Sequence, residues 1–163
     1  MTAVISNTSP LTNLAAIGQF DVLRALYGDL LIAEAVWEEL NASGRVWPGC
    51  REVAGADWIT RREVCNRPLV TALRERLDPG EAETIALAVE CQPPFVLMDE
   101  KEGRRAAQRF GLKTVGVVGV LLEAKARGLV TEVGPLLEQL RRDAGFFLSD
   151  RVIREARLFC GEV

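Results

Sequence analysis

The chain has 163 residues, 48% of them hydrophobic and 26% charged, with a formal net charge of −3 at neutral pH. That length and mixture suit one globular core that needs no disulfide or metal staple. The absence of histidine excludes a Ser-His-Asp triad, a Cys-His dyad and any His-ligated metal, and leaves hydrolytic chemistry to carboxylates with a hard, oxygen-preferring cation. No apolar run approaches the roughly 20 residues of a membrane helix, and the opening Met1–Ser6 has no basic leader, so the expected location is the cytoplasm. Cys50, Cys65, Cys91 and Cys160 are widely spaced without a C-x-x-C pair, which predicts reduced and mostly buried thiols. With an acidic balance, any contact with nucleic acid must rest on local basic patches.

Along the chain, short β-branched runs alternate with helical patterns. The strand candidates are Ala3–Ser6, Leu30–Ile32, Trp58–Thr60, Phe95–Met98 and Thr114–Val115. Ser9-Pro10 after the first strand reads as an N-cap with proline opening a helix. Helical spacing follows in Phe20, Val22, Leu23 and Leu26, then in Glu34–Leu40, where Glu39 borders the apolar stripe and Glu38 turns to solvent. Residues 42–57, with Gly44, Pro48, Gly49 and Gly55, read as a loop with one short helix. Asp78-Pro79-Gly80-Glu81 reads as a capped start for the helix carrying Ala82, Ile85, Ala86 and Val89, with Glu81 as the capping-box acid. Gly128 closes the helix of Val120, Leu121 and Ala124. Ser149 opens a last helix with a buried face of Val152, Ile153, Ala156 and Phe159, and Arg151, Arg154 and Arg157 outside. Alternation of this kind predicts βαβ units and a parallel sheet in one domain, 1–163.

Ligands of open parallel sheets bind beyond the carboxyl ends of the strands. Asn7 follows the first strand and Asp99 follows Phe95–Met98; if these strands are parallel neighbours, both side chains emerge at one edge. Glu39 and Glu83 are acids beside apolar helix faces, where a buried carboxylate needs a partner. A shared divalent cation is one such partner.

Val4-Ile5-Ser6-Asn7-Thr8-Ser9-Pro10-Leu11, Ala35-Val36-Trp37-Glu38-Glu39-Leu40, Gly80-Glu81-Ala82-Glu83-Thr84-Ile85-Ala86-Leu87-Ala88 and Phe95-Val96-Leu97-Met98-Asp99 stand in this order. Together they resemble the four motifs of PIN-domain nucleases, and the likeness runs through Gly103-Arg104 and Gly116–Leu122 to about residue 150. The resemblance is to a prokaryotic subgroup with Asn-Thr-Ser-Pro at the first motif. It implies a PIN-like three-layer α/β/α fold with a central parallel sheet of about five strands. It further implies a Mg²⁺- or Mn²⁺-dependent endoribonuclease acting on RNA, a toxin of a toxin–antitoxin pair with an antitoxin protein as partner, and a homodimer with no membrane association. Carried over residue by residue, Glu39, Glu83 and Asp99 become the catalytic acids and, with Asn7, the metal ligands. Ser9 and Arg104 become supporting residues, with Thr8 a second hydroxyl able to position water. Asn7 replaces the family's first aspartate with a neutral carbonyl oxygen, which lowers the negative charge of the site.

Arg61-Arg62, Lys101, Arg104-Arg105 and Arg109 are the candidate guides for an RNA backbone. For Arg104 the alternative is a salt bridge to Glu83 or Glu81. The competing functions are a catalytically weak or inactive PIN scaffold that binds RNA or protein, and an unrelated Mg²⁺-dependent phosphohydrolase. The latter lacks both an Asp-x-Asp pair after the first strand and a Walker-type loop.

Overall fold

A computed structural model describes residues 3–42 and 48–162; Gly44, one of the glycines of the expected irregular loop, lies outside them. Five strands, β1 (Val4–Ser6), β2 (Leu30–Ala33), β3 (Ile59–Arg62), β4 (Val96–Leu97) and β5 (Thr114–Val115), form one sheet in the order β3-β2-β1-β4-β5. Every pairing is parallel. The three central strands, β1, β2 and β4, are buried on both faces, which is why they read as continuous apolar runs.

The pleat sends alternate residues to two separate cores. Val4, Leu30, Ile32 and Leu97 face one, with helices α1 (Thr8–Ala16), α2 (Val22–Tyr27), α3 (Glu34–Asn41), α8 (Val117–Ala126), α9 (Gly134–Asp143) and α10 (Asp150–Phe159). Ile5, Leu31, Ala33, Val96 and Met98 face the other, with α5 (Arg67–Leu73), α6 (Pro79–Cys91) and α7 (Lys101–Arg109). The expected three-layer α/β/α architecture is therefore present. Helix α6 is enclosed along most of its length: every residue from Gly80 to Ala88 is buried, so its small side chains let neighbours approach closely. The irregular stretch contains one short helix, α4 (Cys50–Ala54). No helix among the described residues is long and apolar enough to cross a membrane.

Several boundaries follow the sequence. Asp78 accepts from the Glu81 amide at 2.8 Å while the Asp78 amide donates back to Glu81 at 3.4 Å. Ser149 accepts from the Val152 amide at 3.1 Å. Gly128 takes the left-handed conformation, φ +74°, just past α8, where a side chain would be strained.

Other expectations are corrected. Helix α1 starts at Thr8 with Asn7 at the cap position; Pro10 fits within the first turn because amides there have no intrahelical partner. The Ser9 hydroxyl is thereby freed to donate to Glu100 at 3.0 Å. In α10, Ile153 and Ala156 are buried but Val152 is exposed and Phe159 is 81% exposed. The helix docks by a narrower stripe than its apolar residues suggested. The four cysteines are unpaired, and none is buried: Cys65 is exposed and the others are half-buried.

Candidate metal and catalytic site

Asn7 and Asp99 meet because β1 and β4 are parallel neighbours: Ser6 pairs with Leu97, and the Asn7 amide donates to the Leu97 carbonyl at 2.9 Å. Asn7 is 4% exposed, and its Oδ1 is buried with no hydrogen-bond partner. The Asp99 Oδ1 accepts from the Val117 amide at 2.8 Å, whereas its Oδ2 is buried without a partner. Burial lifts the Asp99 carboxyl to about 6; the Val117 amide, Arg104 and the neighbouring Asn13 pull it down, and Glu100 pushes it up. Gly116 makes room for this pair, since a Cβ there would stand 2.9 Å from both Asp99 Oδ1 and Arg104 Nη1.

Glu39 and Glu83 sit on two helices that brace each other. Glu39 Oε1, from α3, accepts from the Gly80 amide in the first turn of α6 at 2.9 Å. Glu83 Oε1, from α6, accepts from the Ala35 amide in the first turn of α3 at 3.1 Å. Each carboxylate thus satisfies an otherwise orphaned amide at the positive end of the facing helix. Only glycine permits the first contact: a Cβ on residue 80 would lie 2.7 Å from Glu39 Oε2. Asp99 does the same for α8 through Val117, so all three acids accept from helix N-terminal amides.

Their second oxygens differ. Glu39 Oε2 accepts from Thr8 Oγ1 at 2.5 Å. Burial raises the Glu39 carboxyl; the Thr8 bond lowers it, Asp78 raises it, the Gly80 amide lowers it and Glu100 raises it. Glu83 Oε2 is paired with Arg67 Nη1 at 3.2 Å, with the glutamate side chain only 12% exposed. Asp99 Oδ2 has nothing. Between them, Glu81 is buried and lifted to about 8 by that burial and by the adjoining Asp78 carboxylate.

Arg104 pairs with neither Glu83 nor Glu81: its Nη1 donates to the Met98 carbonyl at 3.1 Å. The partner of Glu83 is Arg67, which the sequence did not single out because α5 was not among the predicted elements. Asn13, buried on α1 beside Asp99, was also missed; an asparagine inside an apolar helical stripe was the available signal. A cleft of about 400 Å³ opens next to Glu39, lined by Thr8, Thr12, Asn13, Leu40 and Pro48 among others.

Among the described residues, no three His, Cys, Asp or Glu side chains are close enough together to hold a metal ion. Asn7 Oδ1 and Asp99 Oδ2, however, are two buried oxygens on adjacent strands with empty hydrogen-bonding capacity, an expensive condition without a partner. Oxygen-only donors suit Mg²⁺ or Mn²⁺, and Mg²⁺ characteristically takes one or two protein carboxylates and keeps several waters. The pair fits such an ion.

Comparison with known protein families matches residues 3–162 to the family DUF3368, a PIN domain. No curated protein matches the chain.

Proposed function

Because the chain belongs to the PIN-domain family, a nuclease-type scaffold, we propose that it is a metal-dependent ribonuclease whose ion is held by Asn7 and Asp99. The observation that carries this reading is the pair of buried, unpartnered oxygens at the carboxyl ends of β1 and β4. Glu39 and Glu83 complete the acid set at the same edge of the sheet, braced by the amides of Gly80 and Ala35.

Bound Mg²⁺ or Mn²⁺ supplies Lewis acidity toward water and toward a phosphoryl oxygen. The chain's own groups do the rest. Glu39, desolvated and oriented through Thr8, accepts a proton from an attacking water that enters by the adjoining cleft. The Asn7 carbonyl and Asp99 Oδ2 would provide oxygen ligands, while the Val117 amide fixes the Asp99 rotamer. Glu83 pairs with Arg67 and holds α3 and α6 in register, and Ser9 and Arg104 support the rim and the base of the site. The chain acts as one domain in the cytoplasm, as a homodimer, and as the toxin of a pair that includes an antitoxin protein.

A second reading is favoured by one observation. Each of Glu39 and Glu83 has both oxygens engaged within the protein, which suits a scaffold that binds RNA or protein with weak or no catalysis. Incubating RNA with the purified protein and Mn²⁺, beside an Asp99→Asn control, separates the two. Cleavage lost in the control supports the enzyme. RNA binding without cleavage, or equal cleavage by both proteins, overturns it.

A further inference from the structure

A second cleft is lined by none of the four candidate site residues. It has a volume of about 180 Å³ and runs between the turn after α5 and the outer face of α7, with Arg76, Arg105 and Arg109 on its walls and Leu77 in its floor. We propose that this cleft binds the backbone phosphates of a nucleic-acid strand, a role that rests on the nuclease reading of the neighbouring acids and gives the strand its path.

Three features carry the assignment. All three arginine side chains are on exposed residues, and neither Arg76 nor Arg109 has an ion-pair partner among the described residues. Arg105 has only Glu102, at 3.8 Å and largely in solvent, a contact of little strength. Glu75 and Glu102 also border the cleft, leaving one net positive charge and three planar forks suited to bidentate phosphate contact. The space is smaller than the roughly 300–1,000 Å³ of small-molecule pockets. No aromatic side chain lines it, so it offers phosphate contact without base stacking.

Its position adds the direction. Leu77 precedes Asp78, the cap of the helix that carries Gly80 and Glu83, and α7 begins two residues after Asp99. Arg105 and Arg109 are one helical turn apart and stand roughly 6 and 12 Å along α7 from Lys101. A strand leaving the carboxylate edge along α7 passes both arginines in turn. The geometry differs from that of Arg61 and Arg62, which lie on the edge strand β3 at the far side of the sheet.

The test measures binding of a labelled single-stranded oligoribonucleotide by fluorescence anisotropy, in chelator so that no cleavage occurs, between about 50 and 200 mM KCl. The double variant Arg76→Gln/Arg109→Gln should bind about tenfold more weakly at the low end, with a salt slope reduced by about 1.4 for two lost phosphate contacts. Arg151→Gln/Arg154→Gln, on the exposed face of α10, should stay within about twofold of the parent, and melting temperatures verify folding of both. Affinity of the Arg76/Arg109 variant within twofold of the parent overturns the cleft, as does an equal loss in the Arg151/Arg154 variant. Inorganic phosphate or a mononucleotide that displaces the strand at equal concentration also overturns it, in favour of a free-anion site. A parent protein that binds no RNA overturns both the cleft and the nuclease reading. Cleft-dependent binding without Mn²⁺-dependent cleavage overturns the nuclease reading alone.

Discussion

The carboxylates at the end of the sheet and the carboxylate at the end of the chain answer burial in opposite ways. Glu162 is pushed up by desolvation, but Lys125 at 2.8 Å, the Val133 and Gly134 amides at 2.6 and 2.8 Å, and the Cys160 thiol at 3.2 Å bring it down to about 2. Asp99 has one amide, the Asn13 side chain close by and a second oxygen with no well-formed hydrogen bond, and rises to about 6. Both are carboxylates raised by desolvation, Asp99 the more deeply buried; the number of donors aimed at the oxygens separates them further. Glu162 is a staple that ties the chain end to the start of α9, fully satisfied by the protein. The Asn7–Asp99 pair is unsatisfied by the protein, and that deficit is what distinguishes a place for a ligand from a structural clasp.

The largest expected effect breaks the unsatisfied side of the comparison. Asp99→Asn should lower Mn²⁺-dependent RNA cleavage roughly 10²–10³-fold and abolish any Mn²⁺-induced rise in melting temperature. Without metal at pH 8 the variant should melt no lower than the parent, because it removes a charge the fold disfavours. A variant that melts well below the parent without metal would make Asp99 a staple like Glu162.

Next, Gly80→Ala drives a methyl group into the Glu39 carboxylate and breaks the α3–α6 brace. It should cost about 1–3 kcal/mol in urea denaturation, together with a loss of cleavage. Unchanged stability would mean that the brace is soft.

Glu162→Gln should cost about 1–3 kcal/mol at pH 7 by removing a charge-assisted acceptor from buried amides. Because its folded value of about 2 lies below the ordinary 4.5, the stabilisation by Glu162 is fully present above pH 4.5 and is lost as pH falls toward 2. Asp99 and Glu81 run the other way in the metal-free protein. Their raised values, about 6 and about 8, mean that stability falls as pH rises from about 4 to 6 and from about 4.5 to 8. Denaturation across pH 2–8 for parent and Glu162→Gln should therefore converge at the acid end, separate between about pH 2 and 4.5 and keep a constant gap above; curves that stay parallel throughout would contradict this assignment.

The smallest effect tests the face that neither cluster uses. Phe159→Ser, at a side chain 81% exposed on α10, should change stability by no more than about 0.5 kcal/mol, measured by thermal melting.

Much of the fold was legible locally. All five strand positions, the Asp78–Glu81 cap, the Ser149 cap and the Gly128 stop depend on residues a few positions apart, and so their signals survive in a linear reading. The meeting of Asn7 and Asp99 was also legible, since it needs only two parallel neighbouring strands ending in polar residues. The last helix was misread because Val152 and Phe159 are apolar at helical spacing, and only the docking angle of α10 decides which stripe is covered. Ser9 was misread because a helix start two residues earlier hands the cap position to Asn7.

Composition and pattern by themselves determined the alternating α/β class, the exclusion of histidine chemistry and the identity of the acids available for a site. Tertiary structure alone decided what each acid bonds: Gly80 for Glu39 from 41 residues away, Arg67 for Glu83 from a separate helix, Val117 for Asp99 from a third. Periodicity reports which face of an element is buried, because that is set by its own backbone geometry. A hydrogen-bond partner is set by where another element ends in space, and no spacing along one chain segment encodes that.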